Sequence, residues 1–85
     1  MIKKIWIIEA DNDECWSEPI IKYKWEEAES YVANEFEDIL AENPNFNYYW
    51  EIKDGIGTAS ISNDCGEYYN WRITEHEIMI DVVIK

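Results

Sequence analysis

Positive charge is what this sequence has least of. Only 7 Lys and Arg stand against 19 Asp and Glu, for a formal net charge of −12. Nucleic acids and anionic membranes are bound through cations that displace counterions or meet headgroup charge, so direct contact with either is disfavoured. The balance favours a basic partner surface, a cation or simple solubility. Histidine occurs once, as His76, and cysteine twice, as Cys15 and Cys65, in no CxxC pair. A structural zinc site takes four such ligands, and the chain has three. No apolar run approaches the roughly 20 residues of a membrane span. The apolar run at residues 5–8 is too short for a signal peptide, and Glu9 follows at once. A cytoplasmic location is expected. The sequence has no Gly-rich phosphate loop, no GxSxG and no HExxH, so neither an enzymatic activity nor a cofactor is expected.

What is present is enough for one folded domain over residues 1–85. The hydrophobic fraction is 47 %, and there are five Trp, which argues against disorder despite the charge. Residues 25–43 form the only segment long enough for a substantial helix. At about 100° per residue, Trp25, Ala28, Val32, Phe36, Ile39 and Leu40 fall on one stripe that needs a core. No Ser, Thr, Asp or Asn precedes Trp25 as an N-cap. Glu26 and Glu27 instead complement the dipole in the first turn, and Pro44 stops the helix after Asn43.

Strands are expected around it. Residues 3–10 are apolar on both faces, Ile5 and Ile7 on one and Trp6 and Ile8 on the other, which points to a central strand. Residues 20–24 fit either a short extended segment or the approach to the helix. Phe46, Tyr48, Trp50 and Ile52 alternate with Asn47, Tyr49, Glu51 and Lys53. Asp54 and Gly55 signal a hairpin turn into residues 57–62, with Ala59 and Ile61 on a shared face. After a turn at residues 63–66, Tyr69, Trp71 and Ile73 point inward and Tyr68, Asn70 and Arg72 outward. Beyond Thr74 the parity changes, with Ile78, Ile80, Val82 and Ile84 now in step, which predicts a bulge or bend near residues 75–77. The tail is then a continuation of the fourth strand or a fifth one. The expected fold class is α+β, in two layers: an antiparallel sheet of four or five strands with one long helix on one face, in the order β-α-β-β-β(-β).

The outer arc of the helix carries Glu26, Glu27, Glu35, Glu37, Asp38 and Glu42, with Glu29 at the edge of the apolar stripe, and no Lys or Arg. Like charges at i+4 spacing cost a few tenths of a kcal/mol each, and nothing here offsets them. Over roughly 27 Å of helix these seven carboxylates give about one charge per 4 Å, against one phosphate per about 3.4 Å along a DNA strand. Glu26 and Glu37 share one row and Glu27 and Asp38 the next, each pair about 16 Å apart. Glu35 and Glu42 make a third. Asp11, Asp13, Glu14 and Glu18 add acids in the first loop. Its D-x-D start lacks the other ligands and the turn glycine of an EF-hand. Trp6, Phe46, Tyr48, Trp50, Tyr69 and Trp71 suit the core. Trp16, Tyr23, Tyr49 and Tyr68 are left over, and such aromatics suit an interface.

Small size, strong acidity, the β-α-β-β-β pattern and the lack of catalytic motifs resemble the small inhibitors encoded by bacteriophages and mobile elements, anti-CRISPR proteins and DNA-mimic inhibitors among them. The resemblance implies a non-enzymatic, protein-binding inhibitor that presents acidic residues to a basic, nucleic-acid-binding partner such as a host defence nuclease complex, in the host cytoplasm. The partner-binding residues expected on that reading are the six helix carboxylates and the four loop acids, with Trp16, Tyr49 and Tyr68. The alternative is a structural module that homodimerises through an aromatic sheet face.

Overall fold

Residues 2–79 are described by a computed structural model. The chain runs through β1 (Ile2–Asn12), β2 (Ile20–Lys22), α1 (Trp25–Glu42), β3 (Asn47–Lys53), β4 (Ile56–Ser62) and β5 (Tyr68–Met79). The five strands form one antiparallel sheet in the order β2-β1-β5-β4-β3, and α1 packs on one side of it. The two-layer α+β architecture is the one the periodicity predicts. The fifth strand is β2, ahead of the helix, so the order is β-β-α-β-β-β. It has only three residues, following Pro19, and pairs Ile20, Ile21 and Lys22 with Ile8, Ile7 and Trp6.

This order makes the helix a strap. β2 and β3 are the two edges, and α1 crosses the face between them before β3, β4 and β5 return to the middle beside β1. The buried residues follow strand parity. Ala28, Val32 and Phe36 of α1 meet Trp6, Ile8, Ile52, Ala59, Ile61, Trp71 and Ile73 of the sheet. Burying each Ile or Val here contributes about 1.5–3 kcal/mol. Phe36 sits at the centre, edge-on to Trp50 at 5.1 Å and to Trp71 at 5.7 Å.

Both ends of the helix are defined locally. Lys24 occupies the N-cap position with extended backbone and no capping side chain. Asp54 and Gly55 turn the β3–β4 hairpin with φ of 54° and 75°, the mirror-image turn suited to a two-residue loop. The start of α1 lies so close to this turn that a Cβ on residue 55 would come within 2.7 Å of Trp25 Cβ. Glu29 accepts the Gly55 N–H at 3.2 Å. At the other end Asn43 donates its side-chain amide to the Ile39 carbonyl at 2.9 Å.

Several expectations change. Trp25 belongs to the apolar stripe by angle but remains 38 % exposed, because the first turn of α1 overhangs the β3–β4 turn rather than the sheet. Tyr48 points to the helix side yet is 66 % exposed, since β3 is an edge that α1 only partly covers. No bulge interrupts residues 75–77. The β1–β5 register runs unbroken from Ile2 opposite Met79 to Asn12 opposite Tyr69. Residues 2–5 and 76–79 pair only with each other, beyond the helix and the flanking strands. There the buried side is the helix-free one, where Ile5 is buried and Ile78 shares its face, so the apolar parity changes without a change in backbone. Ile80, Val82 and Ile84 lie outside the described residues.

Candidate functional site

Two surfaces hold the residues singled out by the sequence. On the outer face of α1, Glu26, Glu27, Glu37, Asp38 and Glu42 are all exposed. Among the described residues the ion pairs are Lys4 with Glu75 at 3.8 Å and Arg72 with Glu9 at 2.8 Å, and neither involves the helix. The five carboxylates therefore face solvent with no cation of the described residues within ion-pair distance, and the last turn holds no basic residue.

Glu35 does not belong with them. It lies on the flank of the helix, half-buried, and accepts a hydrogen bond from Trp71 Nε1 at 3.3 Å. Beside it, Tyr31 has its phenol pKa raised above the usual 10.0, first by burial and then by the negative charge of Glu35. The Lys22 ammonium sits over the Tyr31 ring, 5.3 Å from its centre. Glu35 thus ties the helix to the sheet.

The second surface is the sheet face away from α1. Odd-numbered residues of β1 and even-numbered residues of β5 point there. Glu9, opposite Arg72, and Asp11, opposite Asn70, form its middle rows, continued by Thr58 and Ser60 of β4 and by Glu51 and Tyr49 of β3. The Tyr49 hydroxyl donates to Glu51. A groove of about 450 Å³ runs over these rows, lined by Tyr49, Ser60, Asn70 and Arg72 among others.

The first loop bounds this face. Asn12 accepts the N–H groups of Glu14 and Cys15, both at 2.8 Å, which turns the chain so that Trp16 bridges back to Asp11. Asp13 donates its N–H to the Tyr68 carbonyl at 3.3 Å. Trp16 and Tyr68 therefore line one groove, of about 660 Å³, with Glu9, Asp11 and Pro19. Trp16 is 87 % exposed, and Tyr49 and Tyr68 are exposed as well. Asp13, Glu14 and Glu18 project from the loop into solvent, while Asp11 is half-buried.

Asp11 also connects the two surfaces. Together with Asn12, Ser17, Glu35 and Ile39 it lines a smaller groove of about 100 Å³ between the loop and the helix flank. Asp11 and the flank of α1 at Glu35 and Ile39 are thus neighbours. Sequence reasoning missed Glu9 and Arg72 as part of this surface. Strand parity places Arg72 outward, but only the β1–β5 register sets it opposite Glu9.

The residues with chemical potential do not converge. The β1–β5 pairing sets the loops of Cys15 and Cys65 at one end of the sheet and His76 towards the other. Both thiols are free and exposed. His76 Nε2 is hydrogen-bonded to the Thr74 hydroxyl at 2.8 Å, and Glu75 and Glu77 lie on the opposite face by strand alternation. Among the described residues no group of three or more His, Cys, Asp or Glu could hold a metal ion, and no helix is long and apolar enough to cross a membrane. Comparison with known proteins finds no matching family model, no matching curated relative and no matching solved structure.

Proposed function

We propose that this protein is a non-enzymatic, protein-binding inhibitor whose acidic helix face occupies the nucleic-acid-binding surface of a basic partner. The observation that carries this reading is the set of five exposed carboxylates, Glu26, Glu27, Glu37, Asp38 and Glu42, with no basic side chain among the described residues within ion-pair distance. A solvated face selected for stability alone would gain from lysines at i+4 positions. Here the rows of acid are left open, at about one charge per 5 Å of helix axis, sparser than the phosphates along a DNA strand. Of the first-loop acids, Asp11 adjoins the helix flank through the groove it shares with Glu35 and Ile39.

The test is capture of partners from a lysate of the source cell, with and without nuclease, followed by competition. Captured proteins should be nucleic-acid-binding, remain after nuclease treatment and elute steeply with salt. Heparin and duplex DNA should displace the protein, and the double variant Glu27→Lys, Asp38→Lys should capture nothing. Binding that ignores salt, or a ternary complex with nucleic acid, would count against mimicry.

A second reading, an interaction module that homodimerises through the aromatic sheet face, draws on the exposure of Tyr49, Tyr68 and Trp16. It predicts a dimer in light scattering that Tyr49→Ala and Tyr68→Ala dissociate and that the helix reversals leave intact.

A further inference from the structure

We infer that the groove between Trp16, Tyr68 and Asp11 is a receptor for an arginine side chain of the basic partner, deepening the proposed function and resting on it for the partner's charge. Three features of the groove select this occupant. The first is charge. Glu9 and Asp11 line the groove, and none of its lining residues is Lys or Arg. Glu9 is already held by Arg72, which lines the neighbouring groove. Among the described residues no cation lies within ion-pair distance of Asp11, so its carboxylate is the open acceptor.

The second feature is the pair of uncovered rings. Elsewhere the protein places its own cations on aromatic faces, Lys3 over Tyr23 at 4.7 Å and Lys22 over Tyr31 at 5.3 Å. Trp16 and Tyr68 have no such partner among the described residues, and Trp16 stands almost free of the protein. Trp is the strongest of the aromatic platforms for a cation.

The third is placement. The Asp11–Trp16 bridge makes the carboxylate and the indole cross-strand neighbours on the helix-free side. A planar guanidinium can stack on a ring while its edge donates two parallel hydrogen bonds to a carboxylate, which the compact ammonium of lysine cannot do. Asp11 also lines the small groove beside Glu35 and Ile39. An arginine bound here would therefore lie on the helix-free side of the sheet, bordering the helix flank at Glu35 and Ile39 rather than the outer rows of acid.

The test is a titration followed by amide and indole NMR, using a blocked Gly-Gly-Arg-Gly-Gly peptide as probe and its lysine and citrulline counterparts as controls. The arginine peptide should shift the Trp16 indole resonance saturably, together with amides of residues 9–19 and of Tyr68. The citrulline peptide should give no saturable shift. Asp11→Asn should weaken binding by about tenfold or more, the scale of a lost hydrogen bond to a charged group. Trp16→Ala, followed through the Ser17 amide, should weaken it by about threefold or more. Both positions lie outside the core, and a retained spectrum confirms the fold. The helix double variant Glu27→Lys, Asp38→Lys should bind the peptide as the parent does. Equal binding of the arginine and citrulline peptides, no change with Asp11→Asn, or loss of binding in the helix variant would each overturn the groove as the site. Loss of the groove result alone leaves the helix reading standing. Normal peptide binding combined with failure to capture any nucleic-acid-binding protein overturns the helix reading instead.

Discussion

The outer face of α1 and the open face of the sheet are both acidic, but they dispose of their charge differently. On the helix, Glu26, Glu27, Glu37, Asp38 and Glu42 stand in solvent without ion-pair partners among the described residues. On the sheet, Glu9 is held by Arg72 and Glu51 by the Tyr49 hydroxyl, and aromatic rings stand among the acids. The helix surface is convex and carries number of charges rather than shape. Such a surface raises encounter rates with a cation and weakens quickly as salt screens it. The sheet surface is grooved and carries few open charges beside large rings. A surface of that kind gains from burial and stacking, which salt affects less. On the proposed function, the two surfaces of one small domain would separate attraction over distance from recognition at contact.

The largest perturbation should abolish this distinction altogether. Phe36 is the residue that packs α1 onto Trp50 and Trp71, so Phe36→Ala should cost about 3–5 kcal/mol and compromise both surfaces together. Urea denaturation followed by tryptophan fluorescence measures it. A loss below about 1 kcal/mol would mean that α1 is not held by this contact.

A smaller effect should separate the surfaces. Glu27→Lys with Asp38→Lys should change stability by no more than about 0.5 kcal/mol, as for exposed sites away from special features. The same variant should flatten the salt dependence of partner binding. Global destabilisation in the same denaturation assay would show that these carboxylates serve the fold instead.

The smallest effect concerns Tyr31, on the helix flank beside Glu35. The pKa of Tyr31 is raised in the folded state by burial and by Glu35. The unfolded chain therefore gives up this proton more readily than the folded one. The contribution is fully present below the ordinary value of 10.0 and is lost as pH rises through the folded value. Stability should fall above about pH 10, and Tyr31→Phe should make the decline shallower. An unchanged alkaline profile would show that Glu35 and burial do not act on this phenol.

The architecture was legible where one side of an element meets a core. The alternation of Trp50 and Ile52, of Ala59 and Ile61, and of Trp71 and Ile73 gave the buried face of three strands directly, because each of these residues lies under or beside α1. Legibility failed where that cover ends. Ile78 broke parity without a bulge because it shares the helix-free face with the buried Ile5, where the cover is no longer α1. Tyr48 and Trp25 carry the right angle for the core but stand at an edge and an overhang. β2 has too few residues to show a period. Among the expected binding residues, Glu35 was misplaced because the helix flank is acidic by sequence while Trp71 Nε1 lies within hydrogen-bonding reach of it. Trp16, Tyr49 and Tyr68 were recognisable as surplus aromatics. Their neighbours Glu9 and Arg72 depended on a pairing between strands that lie far apart along the chain.

That long-range pairing has a kinetic consequence. β3, β4 and β5 follow one another through short turns, so their meander can form from contacts close in sequence. β1 must close almost the entire chain into a loop before Ile2 meets Met79 or Asn12 meets Tyr69, and loop closure grows costlier with length. β1, an interior strand between β2 and β5, is therefore expected to dock last. Until it does, β5 presents a twelve-residue open edge that includes Trp71 and Ile73, a template for pairing with other chains. The same strand that completes the sheet is the one whose absence would make the chain prone to assembly with its own copies.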